Sequence, residues 1–279
     1  MVHNDFPTLR STKQYCKCLF LSAYYTKLIL PDFLEMVKCM NEKYVVKESD
    51  ALLITDIQND FLPGGALPVS NGDLIIPVLN QYIKRFEAAK GHVFASRDWH
   101  PINHMSFKNQ GGIWPPHCIQ QTQGANFSPL LKLPMGTIVI SKAIDPKKEA
   151  YSAFDGTNLA DELSLLGIRR FFVGGVATDY CVVNTVIDAC KFGYETIVLM
   201  DATLGINVNP GDVENAFETM KQSGAKQVTT DDFADMEDIF PIEKSRADIL
   251  AEKPAFRAIV KKKARMRPRG SAKKLPTEK

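Results

Sequence analysis

Cys181 lies in Phe171–Val186, FFVGGVATDYCVVNTV, where an apolar run meets two glycines and then opens into helical spacing. A strand that feeds a helix through a tight turn places the turn's side chains at the carboxyl end of a sheet, where open α/β folds put their ligands. A cysteine in the first turn of that helix would sit beside backbone N–H groups and the positive end of the helix dipole, which lowers thiol pKa and favours a nucleophilic thiolate. Asp56 ends the apolar run ALLITD and Lys142 ends TIVISK. Together the three residues compose an activated thiol, in which the carboxylate takes the proton and the ammonium stabilises the thiolate. The N–H groups of GGVATDYC suit an oxyanion hole, so the implied reaction class is acyl transfer at a carbonyl.

A second group of chemistry-bearing residues follows Asp98. His100, His104 and His117, three of the five histidines, fall within the stretch that begins DWHPINH and ends WPPHC. Asp98 and His100 are two apart and point to the same side of an extended chain, so they can grip one ion. A loop can return His117 as a third ligand. Two imidazoles and one carboxylate with open positions suit zinc, iron(II) or manganese. His104 is a fourth ligand, an outer hydrogen-bonding partner or a substrate contact.

The elements that must position these residues alternate. Ala51–Asp56, His92–Asp98, Thr137–Lys142, Arg169–Gly175, Tyr194–Ala202 and Lys226–Thr230 read as strands, the first short and apolar enough to be buried on both faces. Leu74–Ala89, Asn158–Leu166, the segment from Cys181 to Phe192, and Asp212–Gln222 read as helices, with Gly167, Gly193 and Gly224 as stops. The expected fold is therefore α/β: a mostly parallel six-stranded sheet with helices on both faces, doubly wound in three layers. The irregular segment Trp99–Met135 is long for a connection, a length that usually marks function. Asp56, Asp98, Lys142, the Cys181 turn and Asp201 all stand at predicted strand ends, which converge on one rim of a parallel sheet.

A chain of 279 residues holds one large α/β domain with extensions. The reading divides it into an N-terminal extension, residues 1–48, with a helix expected near Pro31–Tyr44; a catalytic domain, residues 49–245; and a basic, disordered tail, residues 246–279. Residues 261–279 carry nine Lys or Arg against Glu278 alone, so they hold +8 of a net +2 and leave the body at −6. That tail is a nuclear address, a contact for nucleic acid or acidic surfaces, or a solvated end; it lacks the interleaved aromatics of a stacking surface, which argues against nucleic acid. The six cysteines are scattered without framework spacing, which favours a reducing compartment and free thiols. No apolar run reaches the roughly 18 residues of a membrane span. The expectation is a soluble protein of the cytoplasm, or also of the nucleus, with a homo-oligomer possible.

TDIQNDFLPGG, SRDWHPINHMSF, WPPHCIQQTQGA, the strand-end Lys142 and GGVATDYCV occur together and in order. Over residues 50–230 the chain thereby resembles the nicotinamidases of the isochorismatase-like cysteine hydrolase superfamily. The resemblance implies hydrolysis of nicotinamide to nicotinate and ammonia in NAD salvage, with Asp56, Lys142 and Cys181 as triad. It also implies one divalent metal ion, zinc first and iron or manganese next, on Asp98, His100 and His117. Val176 and Ala177 match the family's cis-peptide beside the oxyanion hole, and Phe61 and Trp114 match aromatic walls around the substrate ring. The chain has Ala143 where many relatives have glycine, and the following loop, IDPKKEAYSAF, is charged. The competing readings are a hydrolase of this superfamily acting on another small amide or without metal, and an inactive relative that only binds.

Overall fold

The computed structural model describes residues 43–235. The expected helix at Pro31–Tyr44 and the basic tail lie outside the described residues, except that Lys43 and Tyr44 fall within them.

Six strands form one wholly parallel sheet: β1 (Asp50–Thr55), β2 (His92–Asp98), β3 (Ile138–Lys142), β4 (Arg170–Val176), β5 (Glu195–Leu204) and β6 (Lys226–Val228), in the order β3-β2-β1-β4-β5-β6. The chain steps outward from β1 to β3, then returns to β4 on the other side, which makes the β1/β4 boundary the topological switch point. Helices α1 (Ile76–Ala88), α2 (Leu159–Leu165), α3 (Val183–Lys191) and α4 (Asp212–Gln222) cover the faces.

Strand β1 is buried along its whole length, and its side chains alternate between two cores. Leu52 and Ile54 join the cluster under α1, with Leu79, Tyr82, Phe86, Phe172 and Leu199. Ala51 and Leu53 face the opposite cluster, with Leu163, Phe171, Val186 and Met220 from the other elements. Each of the buried leucine, isoleucine, valine, phenylalanine and methionine side chains contributes on the order of 1.5–3 kcal/mol by leaving water, so the two cores together fix the register of the strands. Register in turn decides which residues meet at the rim. Asp98 lies directly across from Lys142, Thr55 is level with Ser96 on one side, and Thr55 is level with Gly175 on the other.

The helix ends follow the sequence reading. Gly167 takes φ +64 after α2, the left-handed turn that a residue without Cβ adopts freely. Strand β5 runs longer than the expected Tyr194–Ala202, ending at Leu204. Beyond β2 the chain forms no long strand or helix until β3; isolated bridges His100↔Ile119, Phe107↔Trp114 and Gln58↔Phe127 hold it. No helix among the described residues is long and apolar enough to cross a membrane.

Candidate active site

Asp56 follows β1 with φ +53 and is completely buried. The Ser96 hydroxyl donates to its Oδ1 at 2.7 Å. Lys142, at the end of β3, is almost wholly buried, and its Nζ lies 3.0 Å from Asp56 Oδ2 and 3.4 Å from Cys181 Sγ. The same ammonium donates to Asp98 Oδ1 and to the Ala150 carbonyl. Cys181 arrives from the β4 end, but within a π-helical turn, Thr178–Val182, that precedes α3. The pattern of apolar residues expects an ordinary first helical turn there; a wider turn of a few residues leaves that pattern unchanged. The Val176–Ala177 peptide just before it is cis.

The electrostatics depart from the dipole expectation. Burial pushes the Cys181 thiol well above its usual pKa, and Asp56 and Asp98 add to the rise while Lys142 opposes it. Burial likewise raises the Asp56 carboxyl, against the pull of Lys142. Burial works against the Lys142 cation too, but Asp56 and Asp98 outweigh it and hold the ammonium charged. The helix terminus therefore does not set the thiol's state; a buried cluster of two carboxylates, one ammonium and one thiol does.

The second trio adjoins the first through Asp98. Its Oδ2 lies 3.4 Å from His100 Nε2 and 3.9 Å from His117 Nε2, and the ligand atoms of the three residues all fall within 4.8 Å of one another. His117 Nδ1 donates to the Pro115 carbonyl at 2.8 Å, which leaves Nε2 as a lone pair directed at the trio. Both ring nitrogens of His100 are buried without a hydrogen-bond partner. Lys142 and the two histidines hold the Asp98 carboxyl below the usual carboxylate range, although burial works to raise it. Burial lowers the His117 pKa and keeps its imidazole neutral. Two imidazoles and a carboxylate held ionised are a donor set that fits a divalent cation. Asp56, Asp98 and Cys181 are also close enough to share an ion, but the Lys142 ammonium already stands among them.

The structure decides between the readings open for His104 and corrects the one for Asp201. His104 has both nitrogens engaged, by Ser106 Oγ at 2.7 Å and the Lys148 carbonyl at 3.1 Å, and its ring lies tilted against His100 with centroids 4.3 Å apart. It is thus an outer partner of His100 and not a fourth ligand. Asp201 lies inside β5, not at its end, and accepts hydrogen bonds from Tyr82 and Thr230 away from the rim.

A single pocket is lined by Cys181, Asp98, His100 and His117, with Phe61, Trp114, Val176 and Ala177 also in its wall. Glu149, Tyr151 and Tyr180 complete an aromatic and acidic side that the sequence reading did not contain. Trp114 Nε1 donates to Tyr151 Oη at 3.0 Å, and the Tyr180 ring sits edge-on to Trp114 at 5.3 Å. Gln58 was also missed: its amide donates to the Asp98 and Ala125 carbonyls and accepts from Asp98 N–H, pinning the backbone that bears the carboxylate.

Residues 50–232 match the isochorismatase domain family. A nicotinamidase of Escherichia coli (strain K12) is 39% identical over 204 residues, covering 66% of this chain and 96% of that protein. A pyrazinamidase of Pyrococcus horikoshii, solved in complex with zinc, matches with a TM-score of 0.63 at 50% identity, over 65% of this chain and 99% of that one. A protein of L. infantum solved in complex with nicotinate matches with a TM-score of 0.64 at 34% identity, over 68% of this chain and 97% of that one. With a parallel sheet of the same kind beneath a thiol, carboxylate and lysine cluster, the chain belongs to the isochorismatase domain family, on its nicotinamidase branch.

Proposed function

We propose that this protein is a cysteine amidohydrolase that converts nicotinamide to nicotinate and ammonia through a thioester on Cys181. The observation that carries the reading is that one pocket is walled at once by the Cys181 thiol and by Asp98, His100 and His117, with aromatic rings on its flanks. A pyridine carboxamide needs these features together: a nucleophile for the carbonyl, a group for the ring nitrogen and flat apolar walls for the ring.

The thiol is protonated in the resting site, so attack requires its proton to move as the bond forms. Asp56 takes that proton as Sγ adds to the carboxamide carbon, and Lys142 balances the charge that passes through the cluster. Backbone N–H groups near Ala177 and Cys181 stabilise the oxyanion. Collapse breaks the C–N bond, and Asp56 returns the proton to the departing nitrogen, which leaves as ammonia. Asp56 then removes a proton from water as its oxygen adds to the thioester carbon; the C–S bond breaks, and the thiol recovers its proton. Asp98, His100 and His117 would hold the divalent ion, zinc in the first instance and iron or manganese otherwise. Bound there, it would supply a Lewis-acid contact that orients the substrate. Phe61 and Trp114 would sandwich the ring.

We assign the activity to residues 49–245 and place residues 1–48 and 246–279 outside the catalytic domain. The test is ammonia release from nicotinamide by the wild-type chain, by Cys181→Ala and by Asp56→Asn. The wild type is expected to turn over and both variants to be inactive; near wild-type turnover in either variant would overturn the assignment.

A further inference from the structure

Glu149 is the one carboxylate in the pocket wall that the chemistry above leaves unused, and its place is fixed by the site on both sides. The carbonyl of Lys148, the residue before it, accepts from His104 Nε2 at 3.1 Å, and the carbonyl of Ala150, the residue after it, accepts from Lys142 Nζ at 3.4 Å. Glu149 is thus clamped between the histidine whose ring packs against His100 and the lysine that touches Cys181. Its own Oε1 accepts from Ala150 N–H at 3.1 Å, which orients the half-buried side chain. Two residues on, Tyr151 takes the hydrogen bond from Trp114, and Ala153 N–H donates to Thr185 Oγ1 of α3 at 2.9 Å, so the loop is anchored beyond the pocket as well.

The neighbouring ammonium groups are already paired. Lys142 pairs with Asp56 and Asp98, and Lys148 turns outward to Asp155 at 2.6 Å. Among the described residues no basic side chain pairs with Glu149. Glu149 therefore adds to the pocket wall a carboxylate with no basic side chain beside it, apart from the Asp98 carboxylate that faces the histidines. This matters because the proposed reaction changes the charge of the bound molecule: the carboxamide is neutral and the carboxylate product is an anion.

We infer that Glu149 is a specificity-determining residue that disfavours the anionic carboxylate relative to the neutral carboxamide, and so speeds product release. The inference rests on the amidohydrolase reading. Across a few ångströms of partly solvated pocket, one like charge weakens anion binding roughly 5- to 50-fold, with little effect on a neutral ring of the same shape. The loop that carries Glu149 is the charged segment after Lys142, which gives that charge a task.

The experiment compares Glu149→Gln and Glu149→Asp with the wild type. Nicotinate affinity is measured by titration calorimetry and as product inhibition, and set against the KM for nicotinamide. Gln keeps an acceptor for Ala150 N–H while removing the charge; Asp keeps the charge. The ratio of nicotinate affinity to nicotinamide affinity is expected to rise roughly 5- to 50-fold in Glu149→Gln and to stay near the wild-type value in Glu149→Asp. An unchanged ratio in Glu149→Gln, or the same rise in Glu149→Asp, would overturn the inference. If the wild type turns over nicotinamide and the ratio does not move, only the role of Glu149 falls. If the wild type does not turn over nicotinamide, the functional reading falls and this inference with it.

Discussion

Asp98 and Lys142 face each other across β2 and β3, and their ion pair joins the two halves of the site. One oxygen of Asp98 takes the ammonium that also touches Cys181 and Asp56; the other faces the two histidines. The residue therefore belongs to the candidate metal trio on one side and to the thiol's electrostatic setting on the other. Asp98→Asn and His117→Ala should then fail differently. Both are expected to lower bound divalent metal sharply, since each removes a donor from the same trio. Only Asp98→Asn should also change the rate at which an alkylating reagent modifies Cys181, because only it releases Lys142. Metal analysis and alkylation kinetics, run on both variants, separate the two; equal alkylation rates would show that Asp98 does not reach the thiol through Lys142.

Ser96 supports the carboxylate proposed as the base. Its hydroxyl donates to Asp56 Oδ1 at 2.7 Å, and this hydrogen bond favours the ionised carboxylate against the burial that raises its pKa. Removing the donor in Ser96→Ala raises the Asp56 pKa further. Because the base must be ionised to take the thiol proton, activity then begins to fall at a higher pH as the solution is acidified. The acid limb of the kcat/KM profile should move upward, with a loss of about 10-fold below the new midpoint. A profile that keeps its acid limb in place would leave Ser96 without this role.

Gln58 shows what the site asks of the loop beneath it. Three buried hydrogen bonds run from its amide to Asp98 N–H, the Asp98 carbonyl and the Ala125 carbonyl. Gln58→Leu removes all three partners from buried backbone groups and should cost about 3 kcal/mol of stability. It should also weaken metal binding by about 10- to 100-fold, as loss of a support for a ligand commonly does. Chemical denaturation and metal titration measure the two effects; full stability with normal metal binding would contradict the assignment.

Much of the site was legible because strand ends are legible. The apolar runs ending at Asp56, Asp98 and Lys142 read as strands, and a parallel sheet must bring such ends to one rim. His100 and His117 were legible as residue types that bind metal, clustered near one of those ends. Asp201 failed by the same logic, since an apolar run does not mark where its strand stops and β5 continues through the aspartate to Leu204. His104 was left open because spacing alone does not say whether its nitrogens are engaged; Ser106 and the Lys148 carbonyl decide it. Gln58, Ser96, Glu149 and Tyr180 carry no periodic signal, because their places depend on contacts across 40 residues or more or on a loop's path. The thiol's pKa ran opposite to the dipole argument, for burial between two carboxylates exceeds what a helix end supplies.

Ala143 offers a test of backbone strain beside the catalytic cluster. It follows Lys142 directly, is buried, and takes φ +53, in the left-handed region where a side chain costs on the order of 1–2 kcal/mol. A glycine at this position removes that cost, while the freer unfolded chain returns about 0.4–1 kcal/mol of it. Ala143→Gly should therefore stabilise the fold by up to about 1 kcal/mol, a gain visible as a higher midpoint in chemical denaturation. The backbone on either side is set by the β2–β3 register and by the Trp99 N–H bond to the Lys142 carbonyl, so the position of the ammonium should not change and turnover should be retained. A lower midpoint would mean that the methyl group, packed in its buried site, contributes more than the strained backbone costs.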